Sequence, residues 1–527
     1  MRRQMRSLNY ESMKCAHRRW LSVLIGMGGL WTSPQAWAGW NDDLAALDAQ
    51  IQSVTGPMTT HDNAVNVLPG VTTALLEQKR QILVDAGFTW FASATTDGYS
   101  YTNFYSFTDT PGETTTALRI DETTSAQTLY RRGYPNEPAQ RLGAWWSGSY
   151  LSTAATRDEL AVLASWGSPL TGIYVIQVPV GTRMVSGKAS PMQSGDEYRA
   201  GGTTQYWLNT RNNDWLVYAL YAPDYYASYV LGGVGAQKLG RNVIDGLEEP
   251  LRTRMTSGGR GAESRFWLST TAGQIDYLPD LGTEVRAHSK GLLLGGDWAL
   301  SERFLVGLMV GRSLFDQRMT ASGVTSDLAG NFGGVYASYR PTGPTWLPWQ
   351  VSGAVLYGQV KYHNQVPGYL HRGLVQDYSG HMVAASVALD APFELGCGWR
   401  LTPQVQLAGT TLSQDDFNDK LGAAISLERG RACWARVGAE LEKALLRQAN
   451  QRLSLYVRGA AQNEFTGGAR IEISGESVEA GHAKPIYRLD AGLRYAWAER
   501  FALQLGAARI EGAEQGYQGD ATLTVGW

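Results

Sequence analysis

From about Ser264 to Trp527, the chain repeats segments of roughly ten residues in which apolar and polar side chains alternate. The clearest of these segments spans residues 487–497 and divides its side chains between two faces. Its apolar face carries Tyr487, Leu489, Leu493, Tyr495 and Trp497, and its charged face carries Arg488, Asp490 and Arg494. Because successive side chains of a β-strand point to opposite faces, such a strand can contact lipid outside and enclose charge inside. We count about twelve such segments, an even number that is typical of bacterial transmembrane β-barrels.

The composition of the chain agrees with a barrel of this kind. Charged residues make up 18% of the sequence, compared with about 25% in a typical soluble domain. No apolar stretch of about 20 residues occurs after residue 40, which excludes membrane-spanning helices from that part of the chain. The alternative is a soluble β-sandwich or barrel with one wet face, but the apolar faces lack charge and their ends carry aromatic residues. The net charge of -2 gives no basic surface for nucleic acid.

The N-terminus has the three parts of a bacterial export signal. A positive region that includes Arg2, Arg3 and Arg6 precedes an apolar run over 21–31, and the small residues Ala36 and Ala38 follow. This order predicts a signal peptide over residues 1–38, although a buried core helix is the alternative. Cleavage there removes one of the three cysteines and leaves Cys397 and Cys433, which lie in or beside barrel segments and could pair.

Ahead of the barrel segments, Val230–Glu249 is interpreted as a helix that is rich in glycine. Glycine in a helix interior costs about 1 kcal/mol relative to alanine, so its repeated use needs a reason. A helix threaded through a narrow barrel lumen supplies that reason because its neighbours leave no room for side chains. The alternative is a flexible glycine-rich linker.

This arrangement of signal, N-terminal segment, lumen helix and C-terminal barrel resembles the type V autotransporters. The last predicted strand, Gly519–Trp527, also ends on an aromatic residue, as the assembly signal of outer-membrane barrels usually does. The resemblance implies a signal peptide (1–38), a passenger (39–225), a linker with the lumen helix (226–262) and a 12-stranded transmembrane β-barrel (263–527). It further implies contact with the barrel-assembly machinery, a barrel in the outer membrane, and a passenger that is displayed at the cell surface or secreted.

The predicted passenger offers few of the side chains that enzymes use. Between Gly39 and Pro223 it contains a single histidine, His61, and no cysteine. A cysteine nucleophile and a histidine-rich metal site are therefore excluded, and we expect no metal. A Gly-x-Ser-x-Gly nucleophile motif is also missing. Chemistry based on carboxylates or on serine and threonine hydroxyls remains open.

Three patches of the passenger combine a short strand with polar residues. In chain order they are the strands Ala117–Asp121, Gly148–Ala154 and Gly172–Val180, the last followed by a loop that ends at Gly202. A basic patch, Arg131–Tyr134, follows the first strand. Ser152 and Thr153 end the second strand, and a capping box over Thr156–Glu159 predicts a helix over Glu159–Ser165.

The order of these patches resembles the mono-ADP-ribosyltransferase toxins, in particular the cholera and heat-labile enterotoxin A subunits and the pertussis toxin catalytic subunit. In that family an arginine lies on the first core strand, Ser-Thr-Ser on a second, and a glutamate in a later loop. The residues that match are Arg119 with Asp121, Ser152 with Thr153, and Glu197. The resemblance covers roughly residues 117–208 and implies an α+β fold for the passenger, whereas residues 40–110 match nothing in the family.

The resemblance implies NAD as the substrate and a host protein as the acceptor of ADP-ribose. Arg119 and Asp121 would then bind or brace the phosphates of NAD, since arginine binds phosphate in a bidentate geometry. Ser152 would orient Glu197, and Thr153 would support the strand. Glu197 would bind a ribose hydroxyl and stabilise the positive charge that develops as nicotinamide leaves.

One departure from the family pattern limits these expectations. The acidic or amide residue that arginine-specific members carry two positions before the glutamate is replaced by Gly195, unless Gln193 or Asp196 takes its role. Trp145 and Trp146 stand in the region where several toxins have a histidine beside NAD, and they either stack on nicotinamide or pack in the core. The alternatives are an NAD glycohydrolase without a protein acceptor, a degenerate domain, or a non-enzymatic surface adhesin on the same barrel.

Overall fold

The computed structural model describes most of the chain after residue 33. The described residues are 34–53, 59–61, 64–67, 73–88, 119–135, 145–189, 192–208, 213–256, 264–341, 348–369, 372–448, 450–481, 485–498 and 500–526. Most of the predicted signal peptide and the terminal Trp527 lie outside them. No described helix is both long and apolar enough to cross a membrane.

The described part of residues 34–221, called the N-terminal domain below, has an α+β architecture. Its helices are α1 (Pro34–Ser53), α2 (Thr73–Asp85) and α3 (Thr153–Glu159). Its strands are β1 (Thr59–His61), β2 (Ala64–Val67), β3 (Arg119–Glu122), β4 (Gln127–Gly133), β5 (Trp145–Ser147), β6 (Gly172–Val178), β7 (Arg183–Lys188), β8 (Met192–Ser194), β9 (Glu197–Arg199), β10 (Thr204–Leu208) and β11 (Leu216–Tyr221). Seven of them form an antiparallel sheet in the order β11-β6-β4-β5-β10-β7-β3, while β1 pairs with β2 and β8 with β9.

The two faces of the seven-stranded sheet bury different apolar clusters. On one face, Ile120, Val185 and Trp207 pack with Leu44 of α1 and Leu83 of α2. The opposite face carries a second cluster, formed by Leu129, Trp146, Tyr174, Ile176, Val178, Met184, Leu208, Leu216 and Ala219. Trp146 is buried in this second cluster and Trp145 packs against the first. Both tryptophans are thus accounted for by packing in the core.

The prediction for residues 148–165 was wrong in detail. The strand ends at Ser147, and the helix α3 begins at Thr153 instead of Glu159. The side chain of Ser152 caps α3 by accepting a hydrogen bond from the N–H of Ala155, so this serine lies at a helix start and not at a strand end. Ala161, whose φ is +51°, ends the helical conformation after about two turns.

A single long helix, α4 (Ala222–Thr256), follows β11 without an intervening loop and runs through the barrel. It is longer at both ends than the predicted segment Val230–Glu249. The glycine-rich segment is therefore a helix and not a flexible linker.

The C-terminal part is a closed barrel of twelve strands with four short accessory strands. The twelve are β12 (Arg265–Tyr277), β13 (Val285–Ala299), β14 (Phe304–Met319), β15 (Thr325–Tyr339), β16 (Gln350–Val366), β17 (Leu374–Asp390), β19 (Trp399–Ser413), β21 (Ala424–Gln448), β22 (Gln451–Thr466), β25 (Ile486–Trp497), β26 (Phe501–Gly512) and β27 (Glu514–Gly526). The accessory strands are β18 (Phe393–Gly396), β20 (Phe417–Asn418), β23 (Ala469–Ile473) and β24 (Glu476–Ala480). The barrel closes because β12 pairs with β27 along its whole length.

The predicted division of side chains between the faces of the barrel strands is confirmed. On β25, Leu489 and Leu493 are exposed on the outer surface, whereas Asp490 and Arg494 are buried inside. The last strand follows the same rule, since Val525 points outward. The outer surface is thus apolar and the lumen is polar, as a barrel in lipid requires.

The two ends of the barrel differ in the length of their connections. At one end, called the turn end, β21 meets β22 and β25 meets β26 through connections of two and three residues. At the other end, called the loop end, β20 and the hairpin β23–β24 extend the connections. Helix α4 begins at the loop end and finishes at the turn end.

Cys397 and Cys433 are both free thiols, so the pairing that the sequence left open does not occur in the structure. Cys397 is exposed in the turn after β18, and Cys433 lies within β21.

Candidate functional site

The lumen of the barrel is occupied along its length by α4, and the glycines of this helix lie where the wall comes closest. A Cβ atom at Gly232 would stand 2.5 Å from the hydroxyl of Tyr378, and one at Gly240 would stand 2.6 Å from the sulfur of Met382. Real Cβ atoms do not approach other atoms so closely, so a larger residue would displace the wall. The glycines therefore permit the helix to fit the lumen, as the sequence predicts.

An aromatic cluster holds the start of α4 at the loop end. The hydroxyls of Tyr225 and Tyr229 both donate to one carboxylate oxygen of Asp419, at 2.5 and 2.8 Å. The rings of Tyr362 and Tyr378 stack on the wall beside Tyr229, with centroids 4.5 Å apart. Aromatic side chains therefore fill the space between the helix and the wall at this mouth.

Buried charge connects the middle of α4 to the last barrel strand. Lys238 and Arg241 each form an ion pair with Glu514, which is wholly inaccessible to solvent. The ammonium of Lys238 also lies 4.2 Å from the centre of the Tyr277 ring. A buried carboxylate that compensates two cations is strongly constrained, because removing it leaves uncompensated charge in the interior.

Nearer the turn end the charges are exchanged, so that acidic residues of the helix pair with arginines of the wall. Asp245 pairs with Arg436 and Arg488, and Glu248 also pairs with Arg436. One turn further on, the wall arginines Arg458 and Arg494 surround Glu249 on the helix. Together with the aromatic cluster, these pairs fix α4 to the wall near the start of the helix, at its middle and near its end.

The N-terminal domain rests directly on the loop end. The guanidinium of Arg132, only 8% exposed, donates to the carbonyl of Leu151 at 3.1 Å and to the hydroxyl of Tyr150 at 2.8 Å. It also donates to the hydroxyl of Tyr226 on α4. The N–H of Thr153 donates to Glu476 of β24. Arg132 therefore joins the central strand β4, the segment before α3 and the lumen helix.

Replacing Arg132 with Met is expected to loosen the N-terminal domain from the barrel and to lower its unfolding free energy by about 3 kcal/mol. The reason is that a buried charged donor disappears and leaves hydroxyl and carbonyl partners without a hydrogen bond. The measurement is limited proteolysis of the full chain in membranes, in increasing denaturant. Arg183→Met is the matched control, because its ion pair with Glu122 is exposed and should contribute less than about 1 kcal/mol. Equal protection of the two variants would contradict the role of Arg132.

Glu197 is held as an anion in the short hairpin β8–β9. Its carboxylate accepts hydrogen bonds from the N–H of Ala164 at 2.8 Å and of Ser165 at 3.4 Å, and from Arg199 at 3.1 Å. The hydrogen bond from Ala164 makes the largest contribution to holding the pKa of Glu197 below its ordinary value, and Arg199 adds to it. The carboxylate also stabilises the start of the 3₁₀ turn Ala164–Trp166.

The other predicted site residues lie in two different places. Ser152 is buried at the start of α3, and the backbone of Thr153 contacts the barrel. Arg119 lies on the edge strand β3 with 62% of its side chain exposed, 4.0 Å from the carboxylate of Asp121. Asp121 in turn accepts a hydrogen bond from the hydroxyl of Ser186.

The structure brings the Ser152 and Glu197 segments together and leaves Arg119 apart from them. Arg199, two residues after Glu197, pairs with Asp158 of α3 at 2.6 Å. The N–H of Gly201 donates to the carbonyl of Asp158 at 2.7 Å. Among the described residues, no hydrogen bond or ion pair joins any two of Arg119, Ser152 and Glu197.

The arginine that the structure places beside the Ser152 segment is Arg132. The sequence pointed to the patch Arg131–Tyr134 but placed the phosphate-binding role on Arg119. The sequence carries no signal for the role of Arg132, because its position in β4, a strand with neighbours on both sides, follows only from the strand order of the sheet.

Comparisons with known proteins concern the barrel above all. Residues 266–508 match the family model described as the autotransporter beta-domain. The adhesin BmaC autotransporter of Brucella suis biovar 1 (strain 1330) is 23% identical over 310 residues, which are 56% of this chain. The chain spans only 9% of the length of that relative.

Two solved structures are similar to about half of the chain. The beta domain of the Bordetella autotransporter Brka is 18% identical and covers 50% of this chain and 99% of its own, with a TM-score of 0.42. The translocator domain of the autotransporter NalP from Neisseria meningitidis is 13% identical and covers 55% of this chain and 98% of its own, with a TM-score of 0.42.

Proposed function

We propose that this chain displays its N-terminal domain at the cell surface as a passenger, because its C-terminal part is the barrel of a self-secreting type V autotransporter in the outer membrane. Long connections of outer-membrane barrels face the exterior and short turns face the periplasm. The loop end, on which the N-terminal domain rests, is therefore the exterior end in this proposal. The buried position of Arg132 and the direct passage of β11 into α4 favour display over release.

For the passenger itself, we propose cleavage of NAD and transfer of ADP-ribose to a host protein. The observation that carries this proposal is the position of Glu197. Its anion is fixed by two backbone N–H groups and an arginine, in a hairpin bonded to the helix that Ser152 caps. A fixed carboxylate can stabilise the oxocarbenium-like charge that forms on the ribose as nicotinamide leaves.

Within this proposal the residues have different roles. Glu197 is the catalytic residue, because it would touch the ribose of NAD. Ser152 and Arg132 are positioning residues, since the first caps α3 and the second braces the segment before it. Arg119 and Asp121 are proposed as contacts for the phosphates of NAD at the open edge of the sheet, where Arg119 is exposed to solvent.

A non-enzymatic adhesin is the second candidate for the passenger. It is favoured by the relative in Brucella suis, which is described as an adhesin. The hydrogen bonds of Glu197 also suit a purely structural role, because a carboxylate at the start of a turn stabilises its free N–H groups.

Cells that display the full chain are expected to release nicotinamide from added NAD, and a host-cell lysate should increase this release and acquire ADP-ribose label on protein. The measurement is nicotinamide release with and without lysate, and the control is the same cells without the protein. Release that the lysate does not change would favour an NAD glycohydrolase. A folded, displayed passenger that releases no nicotinamide would favour the adhesin.

A further inference from the structure

One carboxylate of the barrel, that of Glu476, is built into the junction with the N-terminal domain. Glu476 is the first residue of β24 and follows the turn of the hairpin β23–β24. This turn is attached to the barrel strand β21, because the N–H of Ser474 donates to the carbonyl of Ala424 at 2.8 Å. The N–H of Ala424 donates in return to the hydroxyl of Ser474 at 3.0 Å. The barrel wall therefore determines where the carboxylate of Glu476 lies.

The carboxylate of Glu476 connects three parts of the molecule. It accepts a hydrogen bond from the N–H of Thr153 in the N-terminal domain. It also accepts one from the hydroxyl of Tyr226 on α4. The oxygen of that hydroxyl accepts the hydrogen bond from Arg132, whose positive charge is attracted to Glu476. The start of α3, the lumen helix and the strand β4 thus meet at one side chain of the barrel.

Helix α3 leads from this contact to the hairpin that carries Glu197. The helix begins at Thr153 and has seven residues, which gives a length of about 10 Å. Near its end, the carboxylate of Asp158 pairs with Arg199 at 2.6 Å, and Arg199 donates to Glu197 at 3.1 Å. The carbonyl of Asp158 accepts the N–H of Gly201 at 2.7 Å. A displacement of the start of α3 would therefore be transmitted to the carboxylate of Glu197.

We propose that Glu476 of the barrel is a positioning residue for Glu197, so that the N-terminal domain is fully active only while it is seated on the loop end. This inference rests on the proposed cleavage of NAD. Glu476 does not touch NAD in this proposal and acts through Thr153 and α3. A catalytic group that is misplaced by about 1 Å can lose on the order of a hundredfold in rate. The barrel then has a second role, because it completes the catalytic geometry of the domain that it displays.

The test measures nicotinamide release from NAD by the purified full chain in detergent. Glu476→Ala is expected to lower kcat about tenfold and to change the KM for NAD less than about twofold, because the orientation of Glu197 acts on the transition state. Glu476→Gln keeps an acceptor oxygen for the N–H of Thr153 and should restore the rate to within about threefold of wild type. Heat-dependent migration of the barrel on gels verifies that each variant is folded.

Glu479→Ala is the matched control for this experiment. Glu479 lies on the same strand β24, and its carboxylate pairs with Arg470 and Arg429 of the barrel. Its loss should leave both kinetic constants unchanged. Amide hydrogen exchange of residues 153–159 and 197–201 supplies a readout that does not depend on NAD. Exchange there should be faster in Glu476→Ala than in wild type and unchanged in Glu479→Ala.

The possible failures can be told apart. Wild-type kinetics in Glu476→Ala would overturn the positioning role and leave the proposed function in place, and a faster reaction would overturn it by showing that the barrel inhibits the domain. Equal exchange in the two alanine variants would overturn the link between Glu476 and α3 whether or not NAD is cleaved. A wild-type chain that releases no nicotinamide would overturn the proposed function and this inference with it.

Discussion

Replacing Glu197 with Gln is expected to reduce the release of nicotinamide from NAD by at least about a hundredfold, a typical loss when one preorganised electrostatic group is removed. The amide has nearly the same shape but carries no charge to offset the positive charge on the ribose. Its oxygen still accepts the hydrogen bond from Ala164, so the hairpin should keep its conformation. The measurement is the initial rate of nicotinamide release by cells that display equal amounts of each variant.

Glu122→Gln is the matched control for this experiment. Glu122 is an exposed carboxylate on β3 that forms a surface ion pair with Arg183, and its loss should leave the rate unchanged. Because the pKa of Glu197 is lowered, its carboxylate stays ionised to a lower pH than that of an ordinary glutamate. The rate should therefore not fall through titration of Glu197 as the pH drops from 7 to 5. An unchanged rate of nicotinamide release in Glu197→Gln would contradict the catalytic role of Glu197.

Replacing Glu514 with Gln is expected to release the middle of α4 from the barrel wall. Lys238 and Arg241 would then lie in the interior without their carboxylate, which costs about 3–5 kcal/mol when one partner of a buried pair is removed. The expected result is a leaky barrel, measured as single-channel conductance in planar bilayers and as sensitivity of cells to small antibiotics. Glu511→Gln is the control, since Glu511 is exposed and forms a surface ion pair with Arg509.

A second variant separates loss of charge balance from general damage to the barrel. Exchanging Lys238, Arg241 and Glu514 together for Met removes all three charges and keeps similar volumes, a change that is often neutral in stability. The triple variant should therefore conduct less than Glu514→Gln. If Glu514→Gln conducts no more than the wild-type barrel, the aromatic cluster and the pairs near the turn end are sufficient to retain the helix.

The barrel could be predicted because each strand shows in its own sequence which side chains face lipid and which face the lumen. A strand between lipid and a polar lumen must alternate, so Leu489 and Arg488 reveal their faces from sequence position alone. The glycines of α4 were equally informative. Glycine destabilises a helix interior, so its repeated use indicates neighbours that leave no room for side chains. The partners could not be predicted, because Glu514 and Lys238 are separated by 276 residues and meet only after the barrel has closed.

The N-terminal domain was harder to predict because short elements depend on tertiary contacts. Ser152 and Thr153 precede two alanines, which favours a helix start as much as a strand end, and the competing capping box at Thr156 misled the prediction. The buried position of Arg132 went unpredicted for the same reason. Burial follows from the order of strands in the sheet, which the sequence does not reveal.

In the proposed display at the cell surface, the direct passage of β11 into α4 has a mechanical consequence. A force that pulls on the N-terminal domain is transmitted directly to α4 on the axis of the barrel, because no loop separates β11 from α4. To yield, the helix must slide past Asp419, then Glu514, then the arginines around Glu249, so the load is shared by contacts spaced along its length. The contacts along α4 thus anchor the N-terminal domain to the membrane-embedded barrel.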